Sequence, residues 1–314
     1  MVALYRFLLA CVTFFLCLST VTLADDFNLP VQPPSLHFVT PLINTSIEVY
    51  ITEKNVRFLY RITNPTSAHL KYTMLLTTPR YSWRGMSENN PDRSYADLVV
   101  RNNSGTVVYH KKTEAFLETK NVTAVLHNYS IDPNIVADDR LFRDGMEINS
   151  TTLLALIEQQ LFDEKSFSPT WSVKNTYFWV QKFPPNQEQI IEYSYEPLWG
   201  SMTVGDFSSA NLIMENFDWH RIMGEFYLKR INGFFTPSHV QESIYNIRWL
   251  RFPLTVVSCA PIEKVIISAE VSGEQLIFLS YGDMYTASVA HAELRYEYIT
   301  GTDEIGIVIV TPID

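Results

Sequence analysis

Cysteine is scarce in this chain of 314 residues: there are three, and Cys11 and Cys17 both fall within the first 24 positions. Beyond them only Cys259 remains, so no internal disulfide can staple the rest, and stability has to come from packing. The setting of Cys259, between Val256 and Pro261, reads as a strand end with a buried, inert thiol. Glycine is sparse too, at 11 residues. No glycine-rich phosphate loop is present, and Gly200 to Gly205 has the wrong spacing for one, which disfavours nucleotide chemistry. A His-Glu-x-x-His pair and a Gly-x-Ser-x-Gly elbow are also missing. Cations number 24 against 34 acids, for a net charge of −10, and no basic cluster stands out along the sequence. That balance argues against nucleic acid and against anionic lipid surfaces as partners. No cofactor signature is found.

What is present starts with a leader. Met1 to Ala24 carries Arg6, no acid, an apolar run from Phe7 to Leu18 and a small-residue end at Thr22, Leu23 and Ala24. That is the pattern of a secretory signal. The run is shorter than the ~20 residues a membrane span requires. A lipid anchor on Cys11 or Cys17 fits poorly, because the first leaves almost no apolar run and the second follows the bulky Leu16. The expectation is an exported protein, periplasmic or extracellular, with no stable span after cleavage. Its remainder is long enough to bury a large core, divided into a β-rich part over 25–200 with a short helical insertion and an α+β part over 201–314, with the two packed as one unit or apart.

The chain is organised around Trp171 to Gly200. A period of two puts Trp171, Val173, Tyr177, Trp179, Gln181 and Phe183 on one face, and Ser172, Lys174, Thr176, Phe178, Val180 and Lys182 on the other. Pro184 and Pro185 stop this strand. A return arm follows with Ile191, Tyr193 and Tyr195 on one face, ending at Pro197. The spacing predicts a long hairpin with an aromatic inner face, which is a core and not a catalytic motif.

Elsewhere, Ile47 to Ile51 alternates, and Val56 to Thr63 is expected to turn at Asn64 to Ser67 and return through Leu70 to Thr78. Asp97 to Arg101 and Thr106 to His110 form a second hairpin around Asn102 to Gly105. Asn121 can cap a short helix, and Thr151 or Thr152 a second carrying Leu153, Leu156, Ile157 and Leu161. Phe217 to Ile231 has aromatics at helical spacing. Strands follow at Lys264 to Val271, Gln275 to Ser280, Ala292 to Ile299 and Ile305 to Thr311, with turns at Ser272 to Glu274 and Gly301 to Asp303. The fold class is mostly β, in sandwich-like sheets with a few short helices, and α+β in the C-terminal part.

Several groups invite chemistry. Asp138 to Gly145 lacks the alternating acids of a calcium loop. Asp218 and His220 with Glu225 nearby could bind metal on a strand, but two-apart positions diverge on the helix expected there. Glu188, Glu192 and Glu196 share one face, as a glycosidase pair would, although strand alternation alone produces the same spacing. Trp83, Trp199, Trp219 and Trp249 lie outside the clearest strands, where they could line a glycan cleft or cover the core. The sequons at Asn44, Asn102, Asn121, Asn128 and Asn149 carry little weight.

The series Trp171-Ser172-Val173-Lys174, Thr176-Tyr177, Trp179, Gln181, Phe183-Pro184 and Tyr195-Glu196-Pro197 resembles an exported bacterial family, domain of unknown function 4424. Val56 through Asn64, Glu114 to Phe116, Asn121 to Ala124, Ala260 to Ile262 and Thr302 to Ile305 are similar to it more weakly. The resemblance implies export and a β-rich fold, and no reaction. It also implies that any disulfide the family uses is absent here, since Ser280 stands where the family tends to carry a cysteine. The motif residues Trp171, Tyr177, Trp179, Gln181, Phe183, Pro184, Tyr195 and Pro197 read as structural. The leading expectation is a non-enzymatic binding or interaction module of the cell envelope, with an envelope protein or glycan as partner. The alternatives are a hydrolase of envelope glycan or peptide using dispersed carboxylates, and a structural subunit of an envelope assembly.

Overall fold

The structure, a computed structural model, describes residues 34–37, 42–82, 98–134, 150–164, 169–197, 199–204, 244–256, 262–272, 275–281, 284–299 and 301–313. Its strands assemble into sheets of six, seven and five strands. β1 (Ser35–His37) opens the six-stranded sheet, and β2 (Ile43–Thr52) and β3 (Val56–Thr63) pair in the seven-stranded one. The chain crosses back for β4 (Leu70–Thr77) and β5 (Tyr81–Ser82), returns for β6 (Val99–Asn102) and β7 (Gly105–Thr106), and crosses again for β8 (His110–Leu117) and β9 (Lys120–Asn121). Two short helices follow, α1 (Thr123–Asn128) and α2 (Ser150–Glu158).

β10 (Ser172–Phe183) then occupies the six-stranded sheet, and β11 (Glu188–Tyr195) the seven-stranded one. β12 (Gly200–Val204) and β13 (Ile244–Val256) start the five-stranded sheet. β14 (Ile262–Glu270) inserts beside β2 as a parallel neighbour. β15 (Leu276–Tyr281), β16 (Met284–Val289), β17 (His291–Ile299) and β18 (Gly301–Ile313) finish the chain, with β17 in the seven-stranded sheet and the rest in the five-stranded one. The mostly β expectation holds. Among the described residues after 200 only strands occur, and the helix expected over 217–231 lies outside them.

The inward faces of all three sheets contribute to one core. β11 and β6 reach the six-stranded sheet: the Tyr193 hydroxyl donates to the Pro34 carbonyl at 2.6 Å, and the Asn102 amide to Gln181 Oε1 at 2.9 Å. β17 and the β2–β3 turn reach the five-stranded sheet. The Tyr296 ring meets Tyr281 edge-on at 4.5 Å, and Glu53 pairs with Arg248 at 3.5 Å.

The expected central hairpin is not one. β10 bonds to β4, β5 and β8, while β11 bonds to β3 and β6, so the two arms lie in opposite layers and residues 184–187 form an arch between them. Residues 64–69 form a second arch, from β3 to β4, in place of the expected turn and return. Period two fixes which side chains share a face, but not which backbone accepts the hydrogen bonds. An arch lets the rings of one arm cover those of the other across the core. A hairpin would set both aromatic faces on the same side and demand another layer.

The two arches stack, and Asn64 joins them. Its side chain is fully buried, and Nδ2 donates to the carbonyls of Ala68 (2.8 Å), Phe183 (3.0 Å) and Pro184 (3.2 Å). Its Oδ1 accepts from the Thr66 amide at 3.0 Å and the Thr66 hydroxyl at 2.8 Å. Asn186, at φ +52°, donates its amide to the Asn64 carbonyl at 2.9 Å.

The β6–β7 hairpin forms as expected, with Gly105 at φ +115°, but β8 leaves for the other layer. Ser272 to Glu274 and Gly301 to Asp303 are not turns between paired neighbours. β14 and β15 lie in different sheets, as do β17 and β18, and 301–303 belong to β18 itself. β12, β16 and the first part of β13 have no counterpart in the sequence expectation. At the helices, Val122 and not the expected Asn121 is the N-cap of α1, although Asn121 Oδ1 accepts the Thr123 amide at 3.0 Å from one position further out, and Thr151 and Thr152 sit inside α2 rather than capping it.

Glu53 ties two sheets together. It accepts from the Ser272 hydroxyl at 3.1 Å, and its carbonyl accepts the Trp199 indole N–H at 2.9 Å. Burial alone would raise its carboxyl, but the Ser272 bond and Arg248 outweigh that and hold it below the ordinary value. A lowered carboxyl stabilises the fold above its unfolded pKa, and that contribution is lost as pH falls through the folded value. Glu53→Gln is therefore expected to flatten the acid limb of a stability–pH curve by about 1 kcal/mol, with the difference from the parent shrinking as pH falls, as urea titrations across pH would show.

Candidate functional site

The motif residues build the core. Trp171, Tyr177, Trp179, Gln181 and Phe183 all point inward along one strand, each 5% exposed or less. The Trp171 indole donates to the Pro133 carbonyl at 3.1 Å and meets the Phe162 ring edge-on at 5.4 Å. Tyr177 meets Tyr109 edge-on at 5.2 Å, and burial raises its hydroxyl far above the usual tyrosine value, as it does for Tyr195. Both stay neutral at any ordinary pH. Pro184 opens the arch and supplies a carbonyl to Asn64; Pro197 is buried just after β11. Asn175 belongs to the same face. It is fully buried, donating to the Tyr81 hydroxyl at 2.7 Å and accepting from the Thr113 hydroxyl at 2.8 Å. Its place in the alternation between Val173 and Tyr177 was the signal.

The candidate carboxylates sit elsewhere, on the outer face of the seven-stranded sheet. Glu188 pairs with Arg61 at 3.2 Å; Glu192 pairs with Arg101 at 3.2 Å and Arg57 at 3.8 Å. Glu48 adds a contact to Arg61 at 3.5 Å and accepts from the Tyr50 hydroxyl. Each of these three carboxylates faces a guanidinium, and none is set against a second acid as a glycosidase pair would be. Glu196 lies past the end of β11. Among the described residues no group of three His, Cys, Asp or Glu converges to hold a metal. Asp138 to Gly145, Asp218, His220, Glu225, Cys259, Trp83 and Trp219 lie outside the described residues. Of the sequons, Asn44 is buried in β2 and Asn102 holds Gln181, so neither can carry a glycan in the folded protein.

The feature with no structural explanation is the outer face of the six-stranded sheet. Register places His37, Leu75, Phe178 and His110 in one row across β1, β4, β10 and β8. His110 stacks on Phe178 at 5.4 Å, and His37 Nε2 lies 2.6 Å from the Thr77 hydroxyl. Burial and the nearby Lys174 lower the His37 pKa below the usual histidine value. Within that row Leu75 is 38% exposed; beside it Val180 is 56% exposed, and Val108, in the connection into β8, is 90% exposed. The outward positions of β1, β4, β8 and β10 carry Lys71, Lys112, Lys174 and Lys182 against one carboxylate, Glu114. Arg80 adds a cation over the Phe116 ring at 3.9 Å. On a chain of net charge −10 this face is cationic with an apolar centre.

The sequence contained its signal in Phe178 and Val180, two large apolar residues on the polar side of an amphipathic strand. The cations could not be seen as a cluster, because they come from three strands distant in the chain.

The family model "Domain of unknown function (DUF4424)" matches residues 42–223. The chain belongs to this family. Both arches and all of β10 and β11 fall inside the matched DUF4424 span, and of the outer face just described the parts on β4, β8 and β10 lie within it, while His37 of β1 lies before it. None of the curated proteins compared matches the sequence. A solved structure of a candidate nutrient binding protein from Legionella pneumophila subsp. pneumophila is similar at 9% identity and a TM-score of 0.41, covering 90% of this chain and 72% of that one. Similarity of that size carries no functional inference. Among the described residues of this DUF4424 protein no helix is long and apolar enough to cross a membrane, which is a statement about helices alone.

Proposed function

We propose that this DUF4424 protein is a non-enzymatic exported module of the cell envelope, and that it works by binding through the outer face of its six-stranded sheet. The supporting observation is the half-exposed apolar row flanked by lysines, on the side of β10 that the core does not use. Solvent-facing apolar side chains grouped on one sheet face mark interaction surfaces more often than scattered ones do. Export is supported by the leader pattern of Met1 to Ala24. A non-enzymatic role is supported by the motif, whose side chains are spent on packing, and by Glu188 and Glu192, which arginines hold.

The test is cross-linked affinity purification from the native envelope with the full chain and with Phe178→Ser/Val180→Ser. Loss of the cross-linked species in the double variant, with unchanged circular dichroism, is the expected result. An identical set of cross-links to protein, glycan and lipid from both proteins would overturn the proposal.

A further inference from the structure

We infer that the surface engaged by this face is an anionic lipid bilayer, against the expectation drawn from net charge alone, an assignment that rests on the binding role proposed above and names its partner class. Lys71 and Lys182 are direct cross-strand neighbours, both exposed, and neither has an acidic partner among the described residues. Like charges directly opposite each other destabilise a sheet. In a chain with 34 acids, this pair makes sense as a place where external anions sit.

Lys174 and Arg80 stand toward the other end of the strand, and Lys112 is held to Glu114 at 3.0 Å. Between the two ends lie Leu75, Phe178 and Val180. From Lys174 to Lys182 the strand runs about 26 Å, and four strands span about 14 Å. The patch is a sheet face with cations around an apolar centre, the distribution that lets side-chain stems rest on acyl chains while ammonium groups reach phosphates.

Two features favour lipid over an acidic protein. The cations are mostly lysine, which protein interfaces deplete and which binds headgroups without fixed geometry. On the outer face of the neighbouring seven-stranded sheet Arg57, Arg61 and Arg101 are paired with Glu188 and Glu192, and the chain as a whole is acidic, so an anionic membrane attracts the lysine face and repels the rest. That fixes one orientation of docking.

The experiment is co-sedimentation of the full chain with phosphatidylcholine vesicles, with or without one-third phosphatidylglycerol. Variants are Lys71→Glu, Lys174→Glu and Val180→Ser. All retain residues 1–24, so differences between variants report on the face and not on the leader. Lys71→Glu replaces a repulsive pair with an attractive one and is expected to fold at least as well as the parent. Each lysine-to-glutamate change is expected to weaken partition into anionic vesicles on the order of tenfold, and added salt to weaken it further.

Equal sedimentation of parent and variants with the anionic vesicles would overturn the lipid assignment. If no variant alters vesicle binding but Phe178→Ser/Val180→Ser still loses an envelope cross-link, the binding role stands and its partner is a protein or glycan. If neither changes, both proposals fall.

Discussion

Replacing Asn64 by Asp is expected to cost at least about 5 kcal/mol, enough to unfold a domain of ordinary stability at pH 7. The substitution keeps shape and volume but exchanges an amide donor for a carboxylate aimed at the carbonyls of Ala68, Phe183 and Pro184. With no donor in reach on that side, the buried charge is uncompensated. The group would respond by holding a proton, so its folded pKa would rise above that of an unfolded aspartate. A raised carboxyl destabilises the fold as pH climbs past the unfolded value. Asn64→Asp should therefore regain part of its loss as pH falls toward about 4, the opposite of the Glu53 behaviour. Asn64→Ala removes the donor without adding charge and should cost about 3 kcal/mol with no such pH dependence. Denaturant titrations at pH 4 and pH 7 separate the two. A loss below 1 kcal/mol in both variants would mean that Asn64 does not hold the arches together.

Trp171→Ala should be the most damaging of the large-to-small changes, at about 4–5 kcal/mol. The side chain is fully buried against Phe162, and its removal opens a cavity while stranding the Pro133 carbonyl. Trp179 offers the contrast. It is 3% exposed on the same face of β10, but its indole N–H has no acceptor among the described residues. Trp171→Phe should thus cost about 1 kcal/mol more than Trp179→Phe, because only the first loses a hydrogen bond. Equal losses from guanidinium unfolding with unchanged slopes would contradict the assigned contact.

Local pattern carried far because alternation is a local property. Trp171 to Phe183 and Ile191 to Tyr195 could be sorted into inner and outer faces from spacing alone, and every motif side chain placed inward is buried. The same pattern missed β16 and the start of β13. Their runs, Met284–Val289 and Ile244–Val256, mix residues without a clean period of two. The outer face of β18 shows the same difficulty, since Val308 and Val310 are buried on the side opposite Ile307 and Ile309.

By itself, then, the sequence determined the class, the sheet faces and the family. Each of these follows from residue order over a few positions or from counting. Tertiary structure alone decided that the aromatic arms arch across two layers, that β14 lies parallel to β2, and that lysines 71, 112, 174 and 182 share one face. Hydrogen-bond partners and electric fields arise between strands far apart in the chain, and no window of sequence contains them.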